Sequence, residues 1–485
     1  MVDQLAEEYA GSPVYFLEYP ADNAPSNRYG RWWAAYGGSS SVYLPLIMVD
    51  SGNQISNGPV DFYNVYKSMV ETALVRPAKA AITAYVLRCG NKIRFFVRLT
   101  NHSGTPLSYS LNNATIHAAV WESAQVARTG RYVRASVSTS ITSSLANGSS
   151  AEFILDTPEL TGVDWDKLHT VVLADYRPEG LTGAFDTLGA ALAPRASVMR
   201  QDFDTDGRQD ITIRRPNTGI WYALSSVSPG AYTSTKWGLQ SDTPVPGDYD
   251  GDGKTDIGVW RPGNGTWYIR PTAIPGTYTT SAWGFASDIP VPGDYDGDGK
   301  ADIAVFRPSN GTWYVRPSGS PSSYTATNWG TATDIPVPGD YNGDGKTDMA
   351  VWRPGTSTWF IKPSGSDSYT TTRWGASSDI PVPGDYDGDG KADISVWRPG
   401  NGTWYLRSSA SPETYTTSKW GTNGDVPVPG DYDGDGKADI GVWRPGNGTW
   451  YMRPSASPGS YTAKKWGMAT DEPISPITGI VKSLP

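Results

Sequence analysis

A multidomain, mainly β chain built from internal repeats is what this sequence predicts, and three observations carry that expectation. Only 18% of the 485 residues are charged, while 54 glycines, 38 prolines, 20 tryptophans and 28 tyrosines punctuate the chain, a balance suited to many short strands joined by tight turns. From about residue 199 one motif returns six times, its first aspartates standing at Asp202, Asp248, Asp294, Asp340, Asp385 and Asp431, 46 residues apart with one step of 45. Within each copy, apolar and polar residues alternate with a period of two and are cut by Pro-Gly and Asn-Gly turns.

One copy serves for all. After Pro246-Gly247 comes Asp248-Tyr-Asp250-Gly-Asp252-Gly-Lys-Thr-Asp256, then Ile-Gly-Val-Trp-Arg-Pro262, Gly265-Thr-Trp-Tyr-Ile-Arg270, and Tyr278 through Trp283-Gly284. Strands are predicted around Pro244-Val245 and over Asp256–Arg261, Thr266–Arg270 and Tyr278–Trp283. Four strands in a repeat of this length match a blade of a β-propeller, so residues 199–485 read as a six-bladed propeller. Pro473-Ile-Ser-Pro-Ile-Thr-Gly-Ile-Val481 begins like a further repeat without its aspartates. It is either the strand that closes the ring or part of an irregular seventh blade, and the seven-bladed form is the alternative.

The aspartate loop points to a cation. Carboxylates at loop positions 1, 3, 5 and 9 fold inward around one ion, the position-7 carbonyl (Lys254) adds a ligand, and Gly251 and Gly253 permit the positive φ that the wrap requires. An all-oxygen set without His or Cys favours Ca²⁺ over zinc or copper. Position 12 is Val259 inside a strand, so the loop is not an EF-hand. The candidate ligands are Asp202, Asp204, Asp206 and Asp210; Asp248, Asp250, Asp252 and Asp256; Asp294, Asp296, Asp298 and Asp302; Asp340, Asn342, Asp344 and Asp348; Asp385, Asp387, Asp389 and Asp393; Asp431, Asp433, Asp435 and Asp439, for about six ions. Asn342 removes a charge, which weakens the fourth site, and Thr205 replaces a glycine, which distorts the first. A turn with no metal would leave four carboxylates within nine residues repelling one another, six times over.

This Asp-x-Asp-Gly-Asp-Gly-x-x-Asp loop, followed by a hydrophobic strand, resembles the FG-GAP/VCBS repeats of integrin α-subunit propellers and of fungal and bacterial propeller lectins, over residues 199–472. The resemblance implies a calcium-binding propeller. Two features depart from it: the family's common closed form has seven blades, and these copies carry Trp-Arg-Pro and Gly-Thr-Trp-Tyr, typical of bacterial secreted proteins, in place of the integrin signature.

Three tryptophan series recur: Trp221, Trp267, Trp313, Trp359, Trp404 and Trp450 in mid-strand; Trp237, Trp283, Trp329, Trp374, Trp420 and Trp466 before a glycine; and Trp260, Trp352, Trp397 and Trp443, with Arg214 and Phe306 at the equivalent places. Large aromatics fill wedges between blades, and exposed ones stack on sugar rings; the structural role is the expectation for each series. Trp267 and Tyr268 point to opposite strand faces, so one is core and the other available. The arginines Arg261, Arg307, Arg353, Arg398 and Arg444 are expected to pair with aspartates across blades, and Asn264, Asn310, Asn401 and Asn447 to form turns.

Ahead of the repeats, residues 1–77 read as α/β, with helices at Leu5–Tyr9, Tyr29–Tyr36 and Asp61–Val75 and strands at Pro13–Tyr19 and Tyr43–Val49. The run Tyr43-Leu-Pro-Leu-Ile-Met-Val49 resembles the proline-led strand of thioredoxin-like folds, with Pro45 as the cis proline. No Cys-x-x-Cys follows the first strand, so redox chemistry is absent. Residues 78–180 carry strands at Ala81–Leu87, Lys92–Thr100, Thr115–Trp121, Tyr132–Val137, Ala151–Leu155 and His169–Leu173, the pattern of an immunoglobulin-like sandwich. Residues 181–198 read as a linker with a short helical turn, and Cys89 as an inert filler at a strand end.

Several function classes are disfavoured. A net charge of −9 leaves no basic surplus for nucleic-acid phosphates. No apolar run approaches the ~18 residues of a membrane-spanning helix. One cysteine allows no intramolecular disulfide, and Met1-Val2-Asp3-Gln4 lacks the basic start and apolar run of a signal peptide, so location rests on chemistry: calcium loops of the weak extracellular class fill only where free Ca²⁺ is abundant. No nucleophile motif stands out, and the three histidines (His102, His117, His169) all precede the repeats. Equivalent repeats suit multivalent binding, so the expected function is an extracellular, calcium-stabilised adhesion or binding module for a glycan or a cell-surface protein. The alternatives are a structural part of a cell envelope that self-associates and a polysaccharide-active enzyme.

Overall fold

The computed structural model describes residues 46–49, 54–57, 62–74, 76–89, 91–123, 132–178, 180–181, 185–193, 201–226, 228 and 230–479. The helices expected at Leu5–Tyr9 and Tyr29–Tyr36 and the strand at Pro13–Tyr19 lie outside them, as does Pro45. By contacts the chain divides into two units, Met1–Val86 with Asn91–Pro194, and Arg195–Pro485 with Leu87–Gly90.

The first unit opens with an antiparallel hairpin, β1 (Leu46–Val49) and β2 (Gln54–Asn57), followed by helix α1 (Phe62–Leu74), which buries Met69 and Val70. Two antiparallel sheets follow. One holds β3 (Ala80–Cys89), β4 (Lys92–Asn101) and β7 (Ser150–Asp156); the other is ordered β6 (Tyr132–Ser140), β5 (Thr115–Glu122), β8 (Leu168–Tyr176) and β9 (Asp186–Leu192). Alternation in β4 and β5 sends Ile93, Phe95, Val97, Leu99, Ile116, Ala118 and Val120 into one cluster with Val172 and Leu188. Residues 186–192 are strand where the sequence suggested a helical turn within a linker. Val171 to Tyr176 offers β9 a free ladder edge, and pairing there buries Leu188 completely, which outweighs a local helical preference.

Among the described residues the second unit holds six four-stranded antiparallel sheets, the propeller-like form expected of the repeats. The first contains β10 (Ile211–Arg215), β11 (Ile220–Leu224) and β12 (Tyr232–Lys236); the second contains β13 (Thr243–Pro244), β14 (Ile257–Arg261), β15 (Thr266–Arg270) and β16 (Thr279–Ala282). All four strands expected in this copy are present. In the first sheet the fourth strand comes from the other end of the chain: Glu472–Ile474 pairs antiparallel with β10, so the C-terminal segment acts as the closing strand.

The sheets form a closed circuit of hydrogen bonds. The residue before the last loop aspartate donates its N–H to the first aspartate's carbonyl in the preceding loop: Thr255 to Asp202 at 2.8 Å, Ala301 to Asp248 at 2.6 Å, Thr347 to Asp294 at 2.7 Å, Ala392 to Asp340 and Ala438 to Asp385 at 2.6 Å. Gln209 to Asp431 at 2.6 Å joins the sixth loop back to the first. Five of the six Trp-Gly tryptophans add bonds of the same sense, from Trp237 Nε1 to the Tyr268 carbonyl of the next sheet at 3.1 Å to Trp466 Nε1 on that of Tyr222 at 3.3 Å, while Trp374 Nε1 has no hydrogen-bond partner among the described residues. Glycine is required at the hairpin between the middle strands: Gly265 has φ +62°, and a Cβ there would lie 2.1 Å from the Gly284 carbonyl oxygen.

Candidate metal centres and the clefts between sheets

In the second to sixth sheets the aspartate loop joins the first strand to the second, whereas the first loop leads directly into β10; in each the loop's own amides fold it. Asp248 accepts from Gly251 N at 2.6 Å through Oδ1 and from Gly253 N at 2.8 Å through Oδ2, which is possible because both glycines sit at positive φ, +82° and +83°. Asp256 accepts from Tyr249 N at 2.9 Å and, through its other oxygen, from Thr272 N at 2.6 Å.

Carboxylate oxygens of Asp248, Asp250 and Asp256 lie within 4.8 Å of one another, as do those of Asp294, Asp296 and Asp302, of Asp385, Asp387 and Asp393, and of Asp431, Asp433 and Asp439. Positions 1, 3 and 9 thus converge as the spacing predicts. The position-5 aspartates Asp252, Asp298, Asp389 and Asp435 fall outside these groups; the Oδ2 atoms accept from the hydroxyls of Thr272, Ser318, Ser409 and Ser455. In the first loop the group is Asp202, Asp204 and Asp206 without Asp210, and Thr205 sits at φ +68°. In the fourth loop Asn342 Nδ2 donates to Asp344 Oδ2 at 2.9 Å, beside Asp340 and Asp348.

Burial, followed by the pull of donated N–H groups and the repulsion of neighbouring carboxylates, decides the electrostatics. Burial raises Asp248 to about 7, against the opposing hydrogen bonds from Gly253 and Gly251 and with help from the Asp256 and Asp252 charges. Asp302, Asp340 and Asp393 are likewise raised to about 7, Asp202, Asp256, Asp348 and Asp385 to about 6, and Asp210 and Asp439 to about 8, burial being the first cause each time. Converging carboxylates that resist ionisation in this way fit a divalent cation, whose charge would remove both the burial and the repulsion penalties. These clusters can hold metal ions.

Two sets of partners escaped the sequence reading. A Ser or Thr at the strand end of each copy (Ser226, Thr272, Ser318, Ser364, Ser409, Ser455) clamps the loop with its N–H on the last aspartate and its hydroxyl on the position-5 carboxylate. The signal was a hydroxyl residue two places after the basic or apolar strand end. The second set comprises Asp242, Asp288, Asp334, Asp379, Asp425 and Asp471, five residues after each Trp-Gly tryptophan. Asp242 holds Arg261 through two bonds of 2.9 Å, and the Arg261 guanidinium carbon lies over the Tyr268 ring, 4.2 Å from its centre. The arginines therefore pair within their own sheet, not across blades: each aspartate immediately precedes the strand that adjoins the arginine's strand. In the first sheet Arg215 takes Asp471 from the chain's far end.

The tryptophans divide as expected in one respect. Trp267 and its five counterparts are buried at 0–1% exposure, and Trp260, Trp352, Trp397 and Trp443 are buried too. Tyr268 is half-buried beneath Arg261, so the residue paired with the core tryptophan is occupied. The exposed aromatics are a series the sequence reading did not single out: Tyr232, Tyr278, Tyr324, Tyr369, Tyr415 and Tyr461, all 56–61% exposed. Each meets the Trp-Gly indole of the preceding sheet, from Trp237–Tyr278 at 5.5 Å to Trp420–Tyr461 at 5.4 Å, with Trp466–Tyr232 at 5.3 Å completing the circuit. Six equivalent aromatic clefts thus lie between neighbouring sheets.

Comparison with known proteins agrees on the repeats. A family model described as FG-GAP-like repeat matches residues 294–351, 340–396 and 385–442, so the chain carries FG-GAP-like repeats there. No curated protein matches the sequence. Among solved structures, similar chains include an Agrocybe aegerita lectin described as recognising non-reducing terminal N-acetylglucosamine (14% identity, 53% of this chain and 79% of that one, TM-score 0.38). Apo AztD from Citrobacter koseri (12%, 63% and 93%, TM-score 0.35) and an inactive virginiamycin B lyase from Staphylococcus aureus (9%, 55% and 87%, TM-score 0.34) are also similar.

Proposed function

We propose that the second unit is a six-bladed, calcium-stabilised β-propeller that acts outside the cell as a multivalent glycan-binding module, and that it binds without catalysing. The observation that carries this reading is the circuit of six clefts, each presenting a half-exposed Tyr ring against a Trp edge. Aromatic faces stack on the C–H faces of sugar rings, and six weak copies on one rigid frame give avidity that a single contact lacks. About six calcium ions in the aspartate loops would stabilise the frame, and the extracellular location follows from the abundance of free Ca²⁺ there. Six-bladed closure is supported by Glu472–Ile474 completing the first sheet. The two sheets of residues 80–192 support an immunoglobulin-like domain. The hairpin and helix over 46–74 agree with a thioredoxin-like reading of residues 1–77.

A glycan array probed with the full chain in calcium and again in chelator tests the proposal. Calcium-dependent binding that Tyr278→Ala and Tyr324→Ala each weaken by several-fold is expected. An array blank in both conditions would sink the reading and leave a structural, self-associating envelope component as the stronger candidate.

A further inference from the structure

The clefts carry a charge pattern that names a class of ligand. The arginines next to proline are neutralised: Arg215, Arg261, Arg307, Arg353, Arg398 and Arg444 each sit bidentate on a buried aspartate. The repeats contain a second cation series, at the outer end of the third strand: Arg270, Arg316, Lys362, Arg407 and Arg453. Among the described residues no carboxylate pairs with any of these five.

Neutral groups hold most of them in place instead. Arg316 donates through Nε to the Pro321 carbonyl at 2.5 Å and through NH1 across the cleft to Ser281 Oγ at 2.6 Å. Arg453 does the same with Pro458 and Ser418. Arg407 donates to the Pro412 carbonyl at 2.6 Å and lies 5.8 Å from the Trp374 ring, while Lys362 donates to the Ser366 carbonyl at 2.7 Å. A guanidinium has five donors, so a cation fixed by carbonyl and hydroxyl oxygens keeps its full charge and has donors to spare. Arg316 and Arg453 reach Ser281 and Ser418, two residues before Trp283 and Trp420 of the preceding sheet, and Arg407 lies beside the Trp374 ring, so these three stand where a Trp meets an exposed Tyr; Arg270 and Lys362 end the equivalent strands.

The sixth cleft supplies an independent observation. Here the strand-end residue is Leu224, which carries no charge. Across the cleft, the place held by Ser281 and Ser418 is taken by Lys464, which pairs with Trp450 in the same register as Ser281 with Trp267. The cation has changed sheets, and the cleft still contains one. Packing gives no reason for a lysine to appear where the arginine is lost.

The overall charge is no obstacle. Twenty-three of the 49 acidic residues occupy the metal-loop positions, and six divalent ions there would add twelve positive charges to the formal −9, bringing the net charge to about +3. From these observations we infer that the six clefts bind acidic sugar residues, the ring stacking on Tyr and Trp while the cleft cation takes the carboxylate, sulfate or phosphate of an anionic polysaccharide. This inference rests on the glycan-binding reading above and specifies its ligand.

The test uses the full chain in saturating calcium against four immobilised polymers: dextran, carboxymethyl-dextran, dextran sulfate and single-stranded DNA. The charged dextrans are expected to bind at least about tenfold more tightly than dextran, falling with added salt. Replacing all six cations by glutamine should bring the charged dextrans down to the level of dextran. Should that variant melt early, Arg270→Gln with Lys464→Gln, two side chains with no hydrogen bond across the cleft, should still lower binding several-fold. Preference for carboxymethyl-dextran or for the sulfate identifies the acid group. Equal binding of dextran and its charged forms overturns the inference and leaves glycan binding intact. DNA binding as tight as the charged dextrans and indifferent to Tyr278→Ala would make the clefts a plain polyanion surface and overturn it as well. If no polymer binds and the glycan array is also blank, both readings fall together.

Discussion

In the N-terminal unit Phe95, Leu99, Ile116, Val120, Val172 and Leu188 belong to one cluster that spans both sheets, whereas the ring of repeats divides its core into several smaller clusters and buries carboxylates beside them. The first arrangement stabilises itself by removing apolar surface from water. The second buries Asp256, Asp302, Asp348, Asp393 and Asp439 almost completely, at 0–1% exposure, and such groups oppose folding unless a cation or a proton meets them. The contrast is between a core built on apolar burial and one that sets beside its apolar clusters carboxylates that a cation or a proton could neutralise.

Chelation should break the comparison open most widely. Each site that calcium saturates about 100-fold over its dissociation constant adds about 2.7 kcal/mol, and several sites act on one ring. Differential scanning calorimetry of the full chain should therefore show one transition that falls by tens of degrees in chelator and another that stays. If neither moves, the loops do not bind metal in the folded state.

The pH dependence of the metal-free ring follows from the same carboxylates. Folded values of about 6 to 8 lie above the ordinary unfolded value near 4, so the folded ring binds protons more tightly than the unfolded chain. Their contribution is fully present below about pH 4 and is lost as the pH rises through 6 to 8. In chelator the ring's melting temperature should fall from pH 5 to pH 8, and calcium should rescue it most at pH 8. A flat profile in chelator would contradict the burial of these groups.

Single substitutions should then separate the units. Phe95→Ala removes a fully buried ring from the first unit and should lower only the calcium-insensitive transition, by about 3–5 kcal/mol. Glu472→Gln acts on the ring's closure. Arg214, fully buried where other sheets have Trp or Phe, pairs with Glu472 at 3.0 Å and with the Asp242 carbonyl at 3.0 Å. Opposite this position the other sheets pair Trp or Phe with Thr243, Ile289, Ile335, Ile380 or Val426, so the charge pair marks the closing strand as the correct partner of β10. Loss of the Glu472 charge should cost about 3 kcal/mol in the calcium-sensitive transition alone, since it strands a buried guanidinium.

Much of this was legible beforehand. Period-two alternation placed the two middle strands of the second copy, most plainly Thr266–Arg270, where buried Trp267 and Ile269 alternate with half-buried Thr266, Tyr268 and Arg270. Loop spacing pointed to positions 1, 3, 5 and 9, because alternate residues of a tight turn share a side; in four loops 1, 3 and 9 converge, while position 5 accepts from a strand-end hydroxyl that the spacing does not reveal. What stayed hidden depends on neighbours distant in sequence. Asp242 is an ordinary polar loop residue until Arg261 folds onto it 19 residues later, and Thr272 reveals its clamp only when a strand end returns to the loop. The strand Asp186–Leu192 was missed because its apolar residues alternate only against β8, and the exposed tyrosines because solvent exposure is a property of the assembled sheets.

The smallest expected effect concerns the first loop, which carries a side chain where its siblings have glycine. Thr205 occupies the place of Gly251 at φ +68°, a left-handed conformation that costs a residue with a Cβ about 1–2 kcal/mol. Its hydroxyl returns part of that through a 2.6 Å bond to the Asp204 carbonyl. The first loop also gathers Asp202, Asp204 and Asp206 while leaving Asp210 outside, as a strained turn would. Thr205→Gly relieves the strain, but glycine gives the unfolded chain freedom worth about 0.4–1 kcal/mol. The net gain should therefore be under about 1 kcal/mol, visible as a rise of one or two degrees in the calcium-sensitive transition with the other unit unmoved. A fall in that transition would mean that the Thr205 hydroxyl, not the backbone angle, governs the first loop.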